Sequence, residues 1–158
     1  MAKFVDQLTI QAKAGDGGDG VVRWRHMKFK PKAGPAGGNG GDGGDVYLRA
    51  VRDRNRLAKY TGHKVFAAQD GEPGAGNSLF GKGGDDCYID VPVGSVVTDC
   101  THDRTVELFE EGEEVKILQG GAGGLGNEYF KSSTNRTPQQ STAGKEGESA
   151  ELKIEVTL

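Results

Sequence analysis

The chain has 158 residues, 34% of them apolar without counting glycine, and a net charge of −3, which suits one domain with a modest core. No apolar run nears the ~20 residues of a membrane helix, and no signal-peptide pattern opens the chain. Cys87 and Cys100 lie in unrelated contexts without metal or disulfide spacing, so no metal site and a cytoplasmic, reducing setting are expected.

Glycine is the outstanding residue, 27 in all, more than twice the usual ~7%. Taken in chain order, the first element is a strand, with Phe4, Leu8, Ile10, Ala12 and Ala14 on even positions and Thr9, Gln11 and Lys13 between them; such alternation marks a half-buried strand. A glycine segment follows at 15–20. Then Val22-Arg23-Trp24-Arg25-His26-Met27-Lys28-Phe29-Lys30-Pro31-Lys32 alternates cations with apolar residues, and no acid occurs between Gly20 and Gly41. On an extended backbone this makes one basic and one packing face. Charge pattern alone fits a phosphate contact or a lysine-guarded strand edge equally well.

A second glycine segment spans 34–44, and a short strand is expected at 46–50. The third glycine segment, 71–84, contains Gly76-Asn77-Ser78-Leu79-Phe80-Gly81-Lys82-Gly83, close to a phosphate-binding P-loop. A P-loop needs Ser or Thr after its lysine to hold Mg²⁺, and a helix beyond it. Gly83 stands in that place, followed by Gly84, Asp85 and Asp86, so no GTP binding is expected.

Strands are expected at 88–91, 95–98, 105–109 and 115–118, with turns at Pro92-Val93-Gly94 and Glu111-Gly112. The acids Glu107, Glu110, Glu111, Glu113 and Glu114 gather here. Glycine segments at 120–126 and 144–147 flank a polar loop, Phe130-Lys131-Ser132-Ser133-Thr134-Asn135-Arg136-Thr137-Pro138. Its hydroxyls, amides and cations suit phosphates and 2′-hydroxyls, or an irregular polar loop. Leu152, Ile154, Val156 and Leu158 alternate as a last strand.

No stretch has a helical period, so the expected class is all-β: a small barrel or sandwich base. The glycines recur every three residues, as in Gly34, Gly37, Gly40 and Gly43 beside Gly38, Gly41 and Gly44. Polyproline II has three residues per turn, so this period lays a bare stripe along one side, where backbones can touch. The strict period and scarce serine argue for a packed bundle of polyproline II helices rather than flexible linkers. Gly18, Gly38, Gly41, Gly44, Gly121 and Gly124 are the glycines assigned this structural role.

In combination these segments resemble the Obg GTPase family. The carriers are Gly15-Asp16-Gly17-Gly18-Asp19-Gly20, the run from Pro31 to Val46, Val91-Pro92-Val93-Gly94-Ser95, Gly120-Gly121-Ala122-Gly123-Gly124-Leu125-Gly126-Asn127, and Phe130-Lys131-Ser132-Ser133 with Asn135-Arg136-Thr137-Pro138. The resemblance covers nearly the whole chain and implies the family's N-terminal Obg domain over 1–158. It also implies a role in large ribosomal subunit assembly, with the large subunit and its rRNA as partners. GTP and Mg²⁺ would belong to a GTPase domain of the same parent chain, absent here, so this domain is expected to be non-enzymatic, monomeric and without membrane contact. Trp24-Arg25-His26 stands where the family usually has Phe-Arg-Arg, and Ala33-Gly34-Pro35 where it usually has Gly-Gly-Pro.

The residues expected to meet RNA are Arg23, Arg25, His26, Lys28, Lys30, Lys32, Lys82, Lys131, Ser132, Ser133, Asn135 and Arg136. The alternative is a stand-alone glycine-rich structural or interaction module. An ice-binding bundle of that kind would carry rows of Ala or Thr, where this chain has Asp16, Asp19, Asn39 and Asp42.

Overall fold

A computed structural model describes residues 4–26, 34–62 and 64–157, with the backbone alone for Phe4, Val5 and Thr157. The strands it contains are β1 (Phe4–Lys13), β2 (Val46–Val51), β3 (Val65–Ala67), β4 (Cys87–Pro92), β5 (Ser95–Asp99), β6 (Arg104–Leu108), β7 (Glu114–Leu118) and β8 (Ser149–Thr157). They form a five-stranded sheet, β3-β1-β8-β5-β6, and a three-stranded sheet, β4-β2-β7. The base is therefore a sandwich of two sheets. Leu8, Ile10, Leu152 and Ile154 of the larger sheet and Val46, Leu48, Ile89 and Val91 of the smaller share one buried cluster, each contributing roughly 1.5–3 kcal/mol on burial.

The alternation expected in β1 and β8 holds: Leu8, Ile10 and Ala12 are buried, as are Leu152, Ile154 and Val156. Both expected turns hold as well, with Gly94 and Gly112 at φ 91° and 82°, a region glycine enters without steric cost. Three features differ from the sequence expectation. The strand expected at 105–109 ends at Leu108, leaving Phe109 56% exposed. A 3-10 turn at Arg56–Tyr60 and another at Asn127–Phe130 stand where no element was expected. β3 went unforeseen because three residues, paired only in parallel with β1, are too short to show alternation.

The chain leaves this base three times on the same side: at 14–45 between β1 and β2, 68–86 between β3 and β4, and 119–148 between β7 and β8. The feet of these excursions are joined, Gly15 N–H donating to the Gly44 carbonyl (2.8 Å), Gly44 to Gln69 (2.8 Å), Gly121 to Gly15 (2.9 Å) and Glu148 to Gln119 (3.0 Å). Above them the bonds repeat every third residue. Gly15–Gly44 is followed by Gly18–Gly41 and Val21–Gly38, and Gly44–Gln69 by Gly41–Glu72 and Gly38–Ala75. The arms are thus three-residue-per-turn helices, the bundle expected from the period.

Glycine is required by space rather than by dihedral angle. A Cβ at Gly18, Gly38, Gly41, Gly44, Gly121 or Gly124 would collide with the backbone carbonyl of Glu72, Leu79, Lys82, Asp85, Lys145 or Thr142 respectively. All six assigned glycines therefore sit at backbone-to-backbone contacts.

The third row of each turn carries a role that the glycine period does not reveal. Asn39, Asp42 and Asp45 accept, through side-chain oxygens, the N–H groups of Gly126, Gly123 and Gly120 at 2.8, 2.8 and 2.7 Å. Asp19 and Asp16 do the same for Gly144 and Gly147 at 2.8 and 2.9 Å. The triplets Gly37-Gly38-Asn39, Gly40-Gly41-Asp42 and Gly43-Gly44-Asp45 thus place two contact rows and one acceptor row around each turn.

The Lys13 ammonium, hydrogen-bonded to Asp16 at 2.8 Å, and the Gly147 N–H hold the Asp16 carboxyl below its ordinary pKa. A lowered folded pKa gives stabilisation complete above about pH 4 and lost as pH falls through the folded value. Exchange protection of the Gly147 amide should therefore fall away below about pH 4, and Asp16→Asn should abolish that pH dependence. Protection in the parent chain that persists unchanged down to global acid unfolding would contradict this.

Candidate nucleic-acid interface

The far end of the bundle is built from the turns of the three excursions. In the first, Arg25 N–H donates to the Gly34 carbonyl (2.8 Å) and Ala36 N–H to the Arg23 carbonyl (2.9 Å), so 23–25 pairs back on 34–36. In the second, Ser78 N–H donates to the Ala36 carbonyl (2.9 Å), and Asn77 and Ser78 both take left-handed φ values near 60°. The third begins at Asn127 with the 3-10 turn.

Asn127 pins this end together. Fully buried, it accepts N–H groups of Gly37 (2.8 Å) and Arg23 (3.3 Å) through Oδ1 and donates from Nδ2 to the carbonyls of Arg23 (3.0 Å) and Pro138 (3.1 Å). One amide therefore uses its whole hydrogen-bonding capacity across two turns. Sequence reasoning named Asn127 only as part of a motif. Asn127→Ala leaves buried backbone groups unpaired, and the expected cost is about 2 kcal/mol. Thermal melting should show it, with exchange protection lost first at Gly37; an unchanged melt would mean that water replaces the amide.

The cations gather around this pin. Arg23, Arg25, Lys131 and Arg136 are all exposed, and Arg25 has one weak ion pair, with Glu128 at 3.7 Å. Gly34, Lys131, Ser132, Ser133 and Arg136 line one open concavity. Residues more than a hundred positions apart are thus brought together. Ser132 spends its hydroxyl locally, on Thr134 Oγ1 at 3.2 Å and the Asn135 N–H at 3.1 Å, which shapes the turn at 132–135. His26 is exposed at the same end. Lys82 lies one helical turn below, beside Gly41, on the flank of the bundle. Lys28, Lys30 and Lys32 lie outside the described residues.

The P-loop-like stretch is a turn at 76–79 followed by an extended arm that runs directly into β4. No helix follows Lys82, so the geometry of a P-loop is not formed.

Acidic residues outnumber the cations Lys82 and Lys145 along the shaft. The shaft carries Asp16, Asp19, Asp42, Asp45, Asp70, Glu72, Asp85 and Asp86. The turn at 110–114 joins β6 to β7 at the pole opposite the bundle, where Arg52 meets Glu111 at 2.9 Å. Two aromatic residues absent from the sequence-based site also stand at the bundle's far end: Phe80 is 73% and Tyr129 64% exposed. Nothing in the sequence pattern separates these from core aromatics.

The architecture defines a class of domain, a β-sandwich carrying a glycine-spaced helical bundle whose end is cationic and whose shaft is acidic. The GTP1/OBG family model matches residues 5–158. The chain belongs to this family and is an Obg-type N-terminal domain. Among the described residues no helix is long and apolar enough to cross a membrane.

Proposed function

We propose that this domain binds RNA of the large ribosomal subunit end-on, through the bundle tip, as part of a cytoplasmic GTPase that serves assembly of that subunit. The observation that carries the reading is the convergence of Arg23, Arg25, Lys131 and Arg136, from two distant excursions, at the end of a shaft lined with carboxylates. Cations so arranged attract a polyanion to the tip, while the shaft repels it along the sides. The hydroxyls of Ser132 and Ser133 and the amide of Asn135 add hydrogen-bonding groups for phosphate and ribose.

GTP and Mg²⁺ belong, in this reading, to a GTPase domain of the same parent chain, and the Obg-type domain contributes docking as a monomer. Residues 1–158 should show no GTP affinity, because Gly83 offers no hydroxyl for Mg²⁺ and no helix dipole faces the loop. Micromolar GTP binding lost in Lys82→Ala would overturn that assignment. Co-sedimentation with purified large subunits tests the main proposal. Binding at low salt supports it; absence of the chain from the subunit pellet at every salt concentration overturns it.

A further inference from the structure

We propose that Phe80 and Tyr129 flank a cleft that accepts one unpaired RNA base by stacking. This rests on the RNA-binding reading above and adds to it the part of the RNA recognised. The cleft lies between the second and third turns of the tip and is lined by Gly37, Asn39, Ser78, Phe80, Glu128 and Tyr129. Leu79, 58% exposed, stands beside it. The sandwich core covers its large aliphatic residues almost completely, so an exposed group of this size at one spot marks a contact surface.

The geometry favours a planar, polar-edged occupant. Phe130 packs edge-on against Tyr129 with ring centroids 5.4 Å apart, which braces the Tyr129 ring. The first excursion contributes no side chain at Gly37, leaving the cleft open to a flat ring. Asn39 spends its oxygen on the Gly126 N–H, which leaves its amide N–H groups as donors. Glu128 provides an acceptor, and the Ser78 hydroxyl can act either way. Donor and acceptor beside an aromatic face are what an unstacked base needs on its Watson–Crick edge.

Charge names the occupant. The Arg25 guanidinium lies 3.7 Å from Glu128 of the cleft. The aliphatic stem of Arg23 runs beside Gly76 on the neighbouring turn while its guanidinium donates to the Val22 carbonyl, so these two exposed cations stand near the cleft, available to the phosphates flanking such a base. An apolar protein side chain would use the aromatic faces but leave these cations and the polar edge unmatched. Duplex RNA keeps its bases stacked and cannot enter.

The test uses the single tryptophan of the chain, Trp24, which bridges Pro35 at the tip, as a fluorescence reporter. Oligouridylate, oligoadenylate and a duplex RNA of equal length are titrated in turn. Phe80→Ala and Tyr129→Ala should each weaken single-strand binding about 5- to 150-fold, with the salt slope unchanged because stacking releases no counterions. Duplex binding should stay as in the parent chain, Phe80→Trp should retain single-strand affinity, and large-subunit binding should weaken in both alanine variants. The stacking site is overturned if both alanine variants bind single strands like the parent chain, or if single-strand and duplex affinity fall together. It is also overturned if the variants lose a ribosomal protein of the large subunit while keeping RNA. Should the parent chain bind large subunits while the alanine variants bind them equally well, only the stacking cleft falls. Failure of the parent chain itself to bind subunits overturns the RNA reading beneath it.

Discussion

Gly41→Ala and Gly123→Ala should each lower the melting temperature of the chain by roughly 6–12 °C, whereas Gly83→Ala should leave it level or slightly higher. At Gly41 an added methyl meets the Lys82 carbonyl, and at Gly123 the Gly40 carbonyl. Both obstacles are backbone, and both belong to arms fixed by bonds on several sides. Gly41 N–H, for example, donates to Glu72 at 2.9 Å while its carbonyl accepts from Gly18 at 2.8 Å. Relief would require moving a whole arm, so the cost belongs at the upper end of overpacking, about 3 kcal/mol. For a domain of this size that corresponds to roughly 2–4 °C per kcal/mol.

Gly83 differs only in its surroundings. The nearest atom to an added methyl there is the Asp42 carbonyl oxygen at 3.7 Å, an ordinary contact. Alanine also restricts the unfolded chain, worth about 0.4–1 kcal/mol where the native conformation tolerates it. The comparison thus holds chemistry constant and varies contact alone. Equal melting temperatures for all three variants would mean that the bundle is not held by backbone contact.

Removing Arg23, Arg25, Lys131 and Arg136 should flatten the log–log dependence of large-subunit affinity on salt by roughly three units, at about 0.7–0.9 for each phosphate no longer neutralised. The two halves of the tip can be separated: Arg23→Ala with Arg25→Ala, and Lys131→Ala with Arg136→Ala, should each remove roughly half of that change. Stability should move little, since these groups are exposed and the one ion pair among them, Arg25 with Glu128, is long; exposed pairs contribute less than about 1 kcal/mol. Lys28→Ala with Lys30→Ala gives the corresponding measurement on the part of the basic segment outside the described residues, expected at roughly one to two units. Glu110→Gln with Glu114→Gln, at the opposite pole, is the control and should not weaken binding. Loss of binding in the control, with all cation variants unaffected, would reverse the assignment of the RNA-facing end.

Local rules of spacing made much of the molecule legible beforehand. The strands at both ends show in alternation, because one face is buried in a sandwich and the other is not. The bundle shows in the three-residue glycine period, because backbones in contact admit no Cβ and each arm completes a turn every three residues. The turns at Gly94 and Gly112 show because φ near 90° selects glycine. Each of these constraints acts within a few residues of its cause, so it is written locally.

Tertiary structure alone decided which distant residues meet. That all three excursions leave one side of the base, and so bring Gly34 into one concavity with Lys131 and Arg136, follows from sheet order, including the unforeseen β3. Asn127 looked like the end of a motif, and only the folded arrangement gives its side chain four hydrogen bonds, to Arg23, Gly37 and Pro138 on the first and third turns. Asn39, Asp42 and Asp45 bond to glycines some eighty residues away, and the exposure of Phe80 and Tyr129 follows from where the second and third turns end. These roles depend on pairings between remote segments, which residue type and spacing do not encode. The sequence by itself determined seven of the eight strands and the glycine period; the tertiary structure decided the composition of the tip, because contact between remote segments is a property of chain topology.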